Sequence, residues 1–385
     1  MPPPLAGVRV LDLSRLLPGP FCTLILAELG AEVVKVEDLG GGDYLRLVPP
    51  FKGGLGGAFY ALNRGKRSIA VDLKQASGRE LLLRLLPSFD VVVESFRPGV
   101  LARLGLDYAT LAAAHPKLVL CSISGYGQDG PMADRAGHDI NYLATAGVLA
   151  ASGPVGGAPM VPGVQLADVA GGALWATIRI LAALKSGVGA HLDVSMTEGV
   201  MSFLLPWLGD LAFGGTPLRR GEGTLNGGAA CYGAYRGADG GYLAVGALEP
   251  KFWTALRTAL GQPSDMSDPI APPARQTELK GELAARLAER SRDEWARELA
   301  SADACVEPVL EMEELTRHPH HQHRQMFFTL DDATRGPLEM LRLPLGAPVA
   351  TTPAPTHGQH TDEVLREAGL SDAEIASLRQ RGVLR

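Results

Sequence analysis

Over its first 125 residues the chain alternates short β-branched runs with helical apolar spacing. Strands are predicted at 7–13, 31–37, 69–73, 90–94 and 118–124, and helices at 21–29, 77–86 and 101–114. Alternation at this spacing is the pattern of a parallel sheet joined by crossover helices, so the predicted class is α/β with a Rossmann-like core. From 137 to about 213 the pattern is mainly helical, broken by a Gly/Pro-rich stretch at 152–163 and a short strand at 191–195. Residues 1–213 read as one large domain. Turn formers crowd 214–230, which reads as a linker. Beyond it, 231–236 and 241–247 flank Gly237-Ala238-Asp239-Gly240, a hairpin signal. Helical patterns at 251–260, 276–290 and 293–300 complete a smaller α+β domain over 231–330. A second hairpin is expected around 332–336, and 361–381 carries two short helical patterns with Thr361 and Ser371 as N-caps.

A length of 385 residues and a hydrophobic fraction of 46% suit a folded chain of two domains. A formal net charge of −6 argues against nucleic acid as a partner, because that affinity relies on a strongly basic surface. An anionic ligand must then be met by a local cluster of base. Cys22, Cys121, Cys231 and Cys305 form no C-x-x-C pair and read as buried reduced thiols. Arg9, Asp12 and Arg15 interrupt any secretory signal pattern, and Arg179 breaks the apolar stretch near 171–184. A cytoplasmic protein with no membrane partner is expected. The first strand-to-helix turn, Ser14-Arg15-Leu16-Leu17-Pro18-Gly19-Pro20, lacks G-x-G-x-x-G, which argues against a dinucleotide cofactor.

Two segments carry candidate proton-transfer groups. In Gly137-His138-Asp139-Ile140-Asn141-Tyr142 a helix is predicted to start at or just after His138, where the dipole favours a neutral imidazole able to accept a proton. Asp168 opens Asp168-Val169-Ala170-Gly171-Gly172, where free N–H groups could meet a developing oxyanion. Spacing alone favours the plainer reading of Asp168 as an N-cap and His138 as a satisfied buried histidine. Glu249, between a predicted strand and a helix, could orient an imidazole or simply complement a helix dipole. Asn63-Arg64-Gly65-Lys66-Arg67 concentrates base at a loop-to-strand junction, as a phosphate grip or as a solvated face. Arg97 follows a predicted strand at the end where open α/β sheets bind ligands. His318, His320, His321 and His323 are interrupted by Pro319 and do not match a metal-site spacing, so no metal is expected.

Taken together these segments resemble the α-methylacyl-CoA racemases of the family III CoA-transferase superfamily. The resemblance runs over most of the chain and includes Pro18-Gly19-Pro20, Val71-Asp72-Leu73-Lys74, Arg97-Pro98-Gly99, Gly125-Tyr126-Gly127-Gln128, the 137–142 segment, Ala167-Asp168, 245–250 and 303–310. It implies an interlocked homodimer whose subunits each pair a Rossmann-like domain with a smaller one through long linkers, residues 331–385 returning to the large domain. It also implies His138 and Asp168 as two bases flanking the α-carbon of an acyl-CoA, with Glu249 supporting His138. Val71, Asp72, Leu73 and Lys74, and Gly137, Asp139, Ile140, Asn141 and Tyr142, match CoA-contacting segments. CoA is then part of the substrate, no separate cofactor is needed, and the setting is lipid metabolism.

Two departures stand out. Asp38 occupies the place of an arginine that helps bind CoA in the racemases, which leaves Arg64, Lys66, Arg67 and Arg97 as candidates for the phosphates. Asn226 replaces an aspartate before Gly227-Gly228. The rival chemistry on the same fold is CoA transfer, in which Asp168 attacks a thioester to form an acyl anhydride. The transferases generally carry a non-basic residue in the place of His138. A non-catalytic acyl-CoA-binding protein is the third possibility.

Overall fold

The computed structural model describes residues 3–385. Six strands, β1 (Arg9–Asp12), β2 (Glu32–Glu37), β3 (Arg67–Ala70), β4 (Val91–Glu94), β5 (Val119–Ser124) and β6 (Ala190–Ser195), form one parallel sheet. Their order is β3-β2-β1-β4-β5-β6. Every residue of β4 and β5 is buried, as expected of central parallel strands covered on both faces. The direction of winding reverses between β1 and β4, and loops leaving the carboxyl ends of those two strands open a crevice there.

Helix α1 (Pro18–Glu28) starts on Pro18 and Pro20, which suit a first turn, and is buried along almost its whole length. Helices α2 (Ala76–Leu85) and α3 (Tyr108–Ala114) cover one face of the sheet, Leu81, Leu82, Leu85 and Leu111 packing with Leu11, Val34, Ile69 and Leu120. The helix expected over 101–114 is interrupted. Gly105 turns at φ 68°, and Asp107 caps a new helix by accepting the Thr110 N–H at 3.0 Å.

Helix α4 (Asp139–Thr145) follows the loop after β5. Ala167–Leu174 is π-helical and runs without a break into α5 (Trp175–Ser186), and α6 (Met196–Met201) follows β6. The combined helix of 20 residues is long and apolar enough, by length and composition, to cross a membrane, which the sequence reading did not expect. It still carries Asp168, Arg179 and Lys185, and Ala173, Ala176, Thr177 and Ile180 are buried.

The chain divides into two compact units on lines different from the expected domains. The first comprises residues 1–146, 163–203 and 319–385, and the second 147–162 and 204–318. The Gly/Pro-rich stretch at 152–163 is therefore not an internal break in the large domain, and 214–230 forms part of the second unit. That unit holds the antiparallel sheet β9-β8-β7, made from β7 (Tyr232–Arg236), β8 (Tyr242–Gly246) and β9 (Val306–Pro308). Helices α7 (Leu205–Ala212), α8 (Pro250–Ala259), α9 (Pro273–Leu287) and α10 (Arg292–Leu299) belong to it, with Trp253, Trp295, Leu279 and Leu283 in its core.

The last stretch rejoins the first unit. Strands β10 (Phe327–Asp332) and β11 (Gly336–Leu341) form a hairpin at the expected place. Helices α11 (Thr361–Glu367) and α12 (Asp372–Gln380) bring Val364, Leu365 and Ile375 into the core under β3 and β1. Ser371 caps α12 as expected, accepting the Glu374 N–H at 3.3 Å. Thr361 does not cap α11. His360 holds the cap position, and the Thr361 hydroxyl instead accepts the Ala70 N–H at 3.1 Å, fastening this segment to the end of β3.

Candidate active site

A cavity of about 700 Å³ opens in the crevice between β1 and β4. Arg15, Leu16 and Pro18 enter it from the loop after β1, and Ser95, Phe96, Arg97 and Pro98 from the loop after β4. The end of β5, the Ala133–His138 approach to α4, the π-helix and Met196 complete the walls. Both proposed bases, His138 and Asp168, lie on this one cavity.

His138 occupies the N-cap position of α4, and its backbone N–H is held by Asn141 Oδ1 at 3.0 Å. Its side chain is exposed, so the reading of a satisfied buried histidine does not hold. Asp168 lies in the first turn of the π-helical segment, behind Leu166 at the cap, and is not itself the cap. π-helical turns are rare and cluster at functional sites. The Asp168 backbone N–H donates to Asp139 Oδ1 at 2.9 Å, which ties the start of this helix to the start of α4. Burial pushes the Asp168 carboxyl up to about 7, and the neighbouring Asp139 charge adds to the rise. A carboxyl poised there exists in both protonation states at neutral pH, as an acid–base catalyst requires.

The glycines after Asp168 play a different part from the one expected. A Cβ on Gly171 would lie 2.5 Å from Met196 O, and one on Gly199 only 1.9 Å from Gly171 O. These glycines let the π-helix and α6 touch backbone to backbone. The Asp168 N–H, one of the donors expected to meet an oxyanion, is instead engaged by Asp139.

Tyr142 is buried, and its hydroxyl donates to Gly137 O at 2.5 Å while its ring meets Tyr126 edge-on at 5.2 Å. A side chain on Gly125 or Gly137 would strike that ring, at 2.3 and 2.7 Å. Of the 137–142 segment, Gly137, His138, Asn141 and Tyr142 line the cavity, Asp139 reaches the Asp168 N–H, and Ile140 is exposed.

The phosphate grip expected at 64–67 is corrected. Arg64 is buried and paired with Glu28 at 2.7 Å. Lys66 is wholly buried, donating to Thr23 Oγ1 (2.7 Å), Pro20 O (2.9 Å), Asn63 Oδ1 (3.0 Å) and Asp12 Oδ2 (3.2 Å). Burial pushes its amine down to about 8 against the pull of Asp12. For Asp12 the balance reverses: burial works to raise the carboxyl, but Lys35 and Lys66 outweigh it and hold it at about 2. Arg67 is shared by Glu32, Glu363 and Glu367. All three cations serve the fold.

The base that faces the cavity is Arg15, Arg97 and Arg135. Arg15 pairs with Asp38 at 2.8 Å and donates to the Tyr44 hydroxyl at 3.1 Å, so Asp38 anchors a cation at the mouth of the cavity. Asp38 Oδ1 also accepts the N–H groups of Gly40, Gly41 and Gly42 at 2.9, 3.1 and 3.3 Å. Arg15 and Tyr44 were missed by sequence reasoning, although the strand order that places the loop after β1 at the crevice could have found Arg15. Val71, Asp72, Leu73 and Lys74 follow β3, outside the lining of this cavity. They are tied to the end of the chain through Asp72 N–H to Val383 O at 3.0 Å.

Glu249 lies in the second unit at the N-cap of α8 and is exposed. Asn226 is used at both ends, its Oδ1 accepting the Gly223 N–H at 2.8 Å and its Nδ2 donating to Arg219 O (2.9 Å) and Ala151 O (3.1 Å). The two donations need an amide, so this departure serves the second unit's own loop. Cys22, Cys121 and Cys231 are buried as expected, but Cys305 is exposed.

The sequence pattern of CoA-transferase family III matches residues 5–361. The chain is 41% identical to α-methylacyl-CoA racemase of Mus musculus, over 97% of this chain and 96% of that protein. It is also 33% identical to succinyl-CoA:glutarate CoA-transferase of Homo sapiens, over 99% of this chain and 90% of that protein. Among solved structures, a CaiB/BaiF family protein from Brucella suis superposes with a TM-score of 0.83 at 30% identity, covering 96% of this chain and all of that one (100%).

Proposed function

The chain belongs to CoA-transferase family III, and we propose that it is a racemase-type member inverting the α-carbon of 2-methyl-branched acyl-CoA thioesters. The observation that carries this reading is a second basic side chain, His138, on the same cavity as Asp168. Two bases on opposite faces of one carbon allow a 1,1-proton transfer. In one direction the His138 imidazole takes the α-proton, the thioester becomes an enolate, and the Asp168 carboxyl delivers its own proton to the other face. The reverse reaction exchanges these roles. The thioester carbonyl acidifies the α-proton, and donors around the cavity stabilise the developing oxyanion.

Arg15, Arg97 and Arg135 are the groups we assign to the CoA phosphates, as guanidinium forks suited to phosphate oxygens. Val71–Lys74, with Lys74 exposed, is assigned to the nucleotide end. Glu249 is assigned to orienting His138 in the assembled homodimer, by accepting the second imidazole N–H. CoA enters as part of the substrate, in a cytoplasmic setting of lipid metabolism.

Asp168 by itself serves CoA transfer equally well, attacking the thioester carbonyl and expelling CoA thiolate to leave an acyl anhydride. His138 separates the two readings, because transfer needs no second base. The test is to incubate one enantiomer of a 2-methylacyl-CoA with the protein and follow its optical purity, beside a parallel assay of CoA transfer to an added carboxylic acid. Loss of optical purity without an acceptor, abolished by His138→Ala, supports the proposal. Retention of configuration with transfer to the acid contradicts it.

A further inference from the structure

A second cavity, of about 220 Å³, lies behind the Ser95–Gly99 loop and includes neither His138 nor Asp168. Strand register explains its polarity. Glu94 on β4 pairs with Ser122 on β5, and Ser122 with Asp193 on β6, so the three side chains form a polar row on one face of the sheet. Glu94 is 3% exposed. The row fastens from beneath both loops that border the larger cavity. The Glu94 carboxyl accepts the Phe96 N–H at 2.7 Å, and Asp193 accepts the Gln128 N–H at 3.0 Å. Arg97 lines both cavities.

We propose that Glu94 is a positioning residue for the CoA ester: its protonation state, transmitted through the Phe96 N–H to the loop that carries Arg97, sets how the Ser95–Gly99 loop meets the substrate. When Glu94 is neutral, Arg97 is free to face the phosphates. When it is ionised, the carboxylate tightens its hold on the Phe96 N–H and draws the loop that carries Arg97 toward the sheet, and affinity for CoA falls. The inference rests on reading the larger cavity as a CoA-ester site.

The surroundings make Glu94 the group that changes charge in the relevant range. Burial pushes its carboxyl up to about 7, Ser122 and the Phe96 N–H oppose the rise, and the like charge of Asp193 adds to it. From β6, His191 also faces the cavity, its Nε2 3.0 Å from Ser122 Oγ and its ring stacked on Tyr108 at the start of α3. Burial holds the His191 imidazole below its ordinary value, so it is neutral where Glu94 titrates. Asp107 beside Tyr108 is held below the usual carboxylate range by the Thr110 N–H and stays ionised throughout. Cys121 on β5 is buried, and burial pushes its thiol well up. Arg179 on α5 donates to Asp193 O and is fixed there.

The test is calorimetric titration of CoA itself between about pH 6 and about pH 8. Every protein carries Asp168→Asn, so that the catalytic carboxyl does not titrate in the same range. With Glu94 intact, Kd should rise ~3–10-fold as pH climbs through about 7. Glu94→Gln keeps an acceptor for the Phe96 N–H without ever ionising, and it should hold the low-pH affinity throughout. An identical pH dependence with and without Glu94→Gln overturns the inference while leaving the CoA-ester reading intact. Absence of CoA binding at every pH overturns that reading and this inference with it.

Discussion

At the scale of single residues, Asp139 governs Asp168. Asp139 does two things to Asp168: it accepts its N–H and it repels its charge. In the direction in which Asp168 delivers its proton kcat/KM should fall as pH rises through about 7, and in the reverse direction it should fall as pH drops below it. Asp139→Asn retains an oxygen for the Asp168 N–H and removes the charge. Its loss makes the Asp168 proton easier to release, so the profile should move to lower pH in both directions. A profile unmoved by Asp139→Asn would show that Asp139 acts through its hydrogen bond alone. The proposed pair was legible in the sequence because His138 and Asp168 stand in recognisable segments. Asp139 as the link between them was not, since nothing in a linear pattern says that the starts of two helices meet.

The same limit explains the basic run. Arg64, Lys66 and Arg67 read as a surface cluster until β3 places Lys66 beneath β1, where Asp12 waits for a counter-charge. Lys66→Met should cost ~3–5 kcal/mol, the penalty for leaving a buried partner uncompensated, with Lys35 at 3.9 Å from Asp12 softening it. Chemical denaturation checks the loss, and CoA affinity of the folded protein should be unchanged. A large loss of CoA affinity at full stability would restore the phosphate grip.

Among elements, the junction of the π-helix with α6 positions Asp168. Gly171 and Gly199 touch so closely that a methyl on either must displace backbone. Gly199→Ala should therefore cost ~1–3 kcal/mol by overpacking and lower kcat disproportionately, because the element it displaces carries Asp168. Thermal melts and kcat for the same variant check this, and a destabilised protein with wild-type kcat would contradict it. Strand and helix alternation made the parallel sheet legible, and the hairpin at β10 and β11 followed from its turn residues. The break before α3 was missed because Gly105 and Asp107 lie inside a continuous apolar helical pattern. The π-helical stretch was missed because its residues carry the same spacing as an α-helix, and the two differ only in hydrogen-bond register.

At the scale of the whole molecule, both units leave large apolar side chains in solvent. Leu174, Trp175 and Ile178 are exposed in the first, and Leu205, Leu208, Leu211 and Phe213 in the second. Apolar surface on this scale marks an interaction site, and the proposed partner is a second copy of the chain. Sedimentation at micromolar concentration should give twice 40.5 kDa. A monomer would remove the proposed route by which Glu249 supports His138. The division into units was only partly legible, because the chain passes between them more than once and composition alone does not reveal which Gly/Pro-rich stretch is a crossing.

The central claim is that His138 and Asp168 exchange the α-proton of an acyl-CoA. It is tested most directly by NMR of a 2-methylacyl-CoA in heavy water with the protein and no acceptor acid. The α-proton should wash out as optical purity falls, and both should stop in His138→Ala. An α-proton that stays in place, with CoA moving only once a carboxylic acid is supplied, would contradict it.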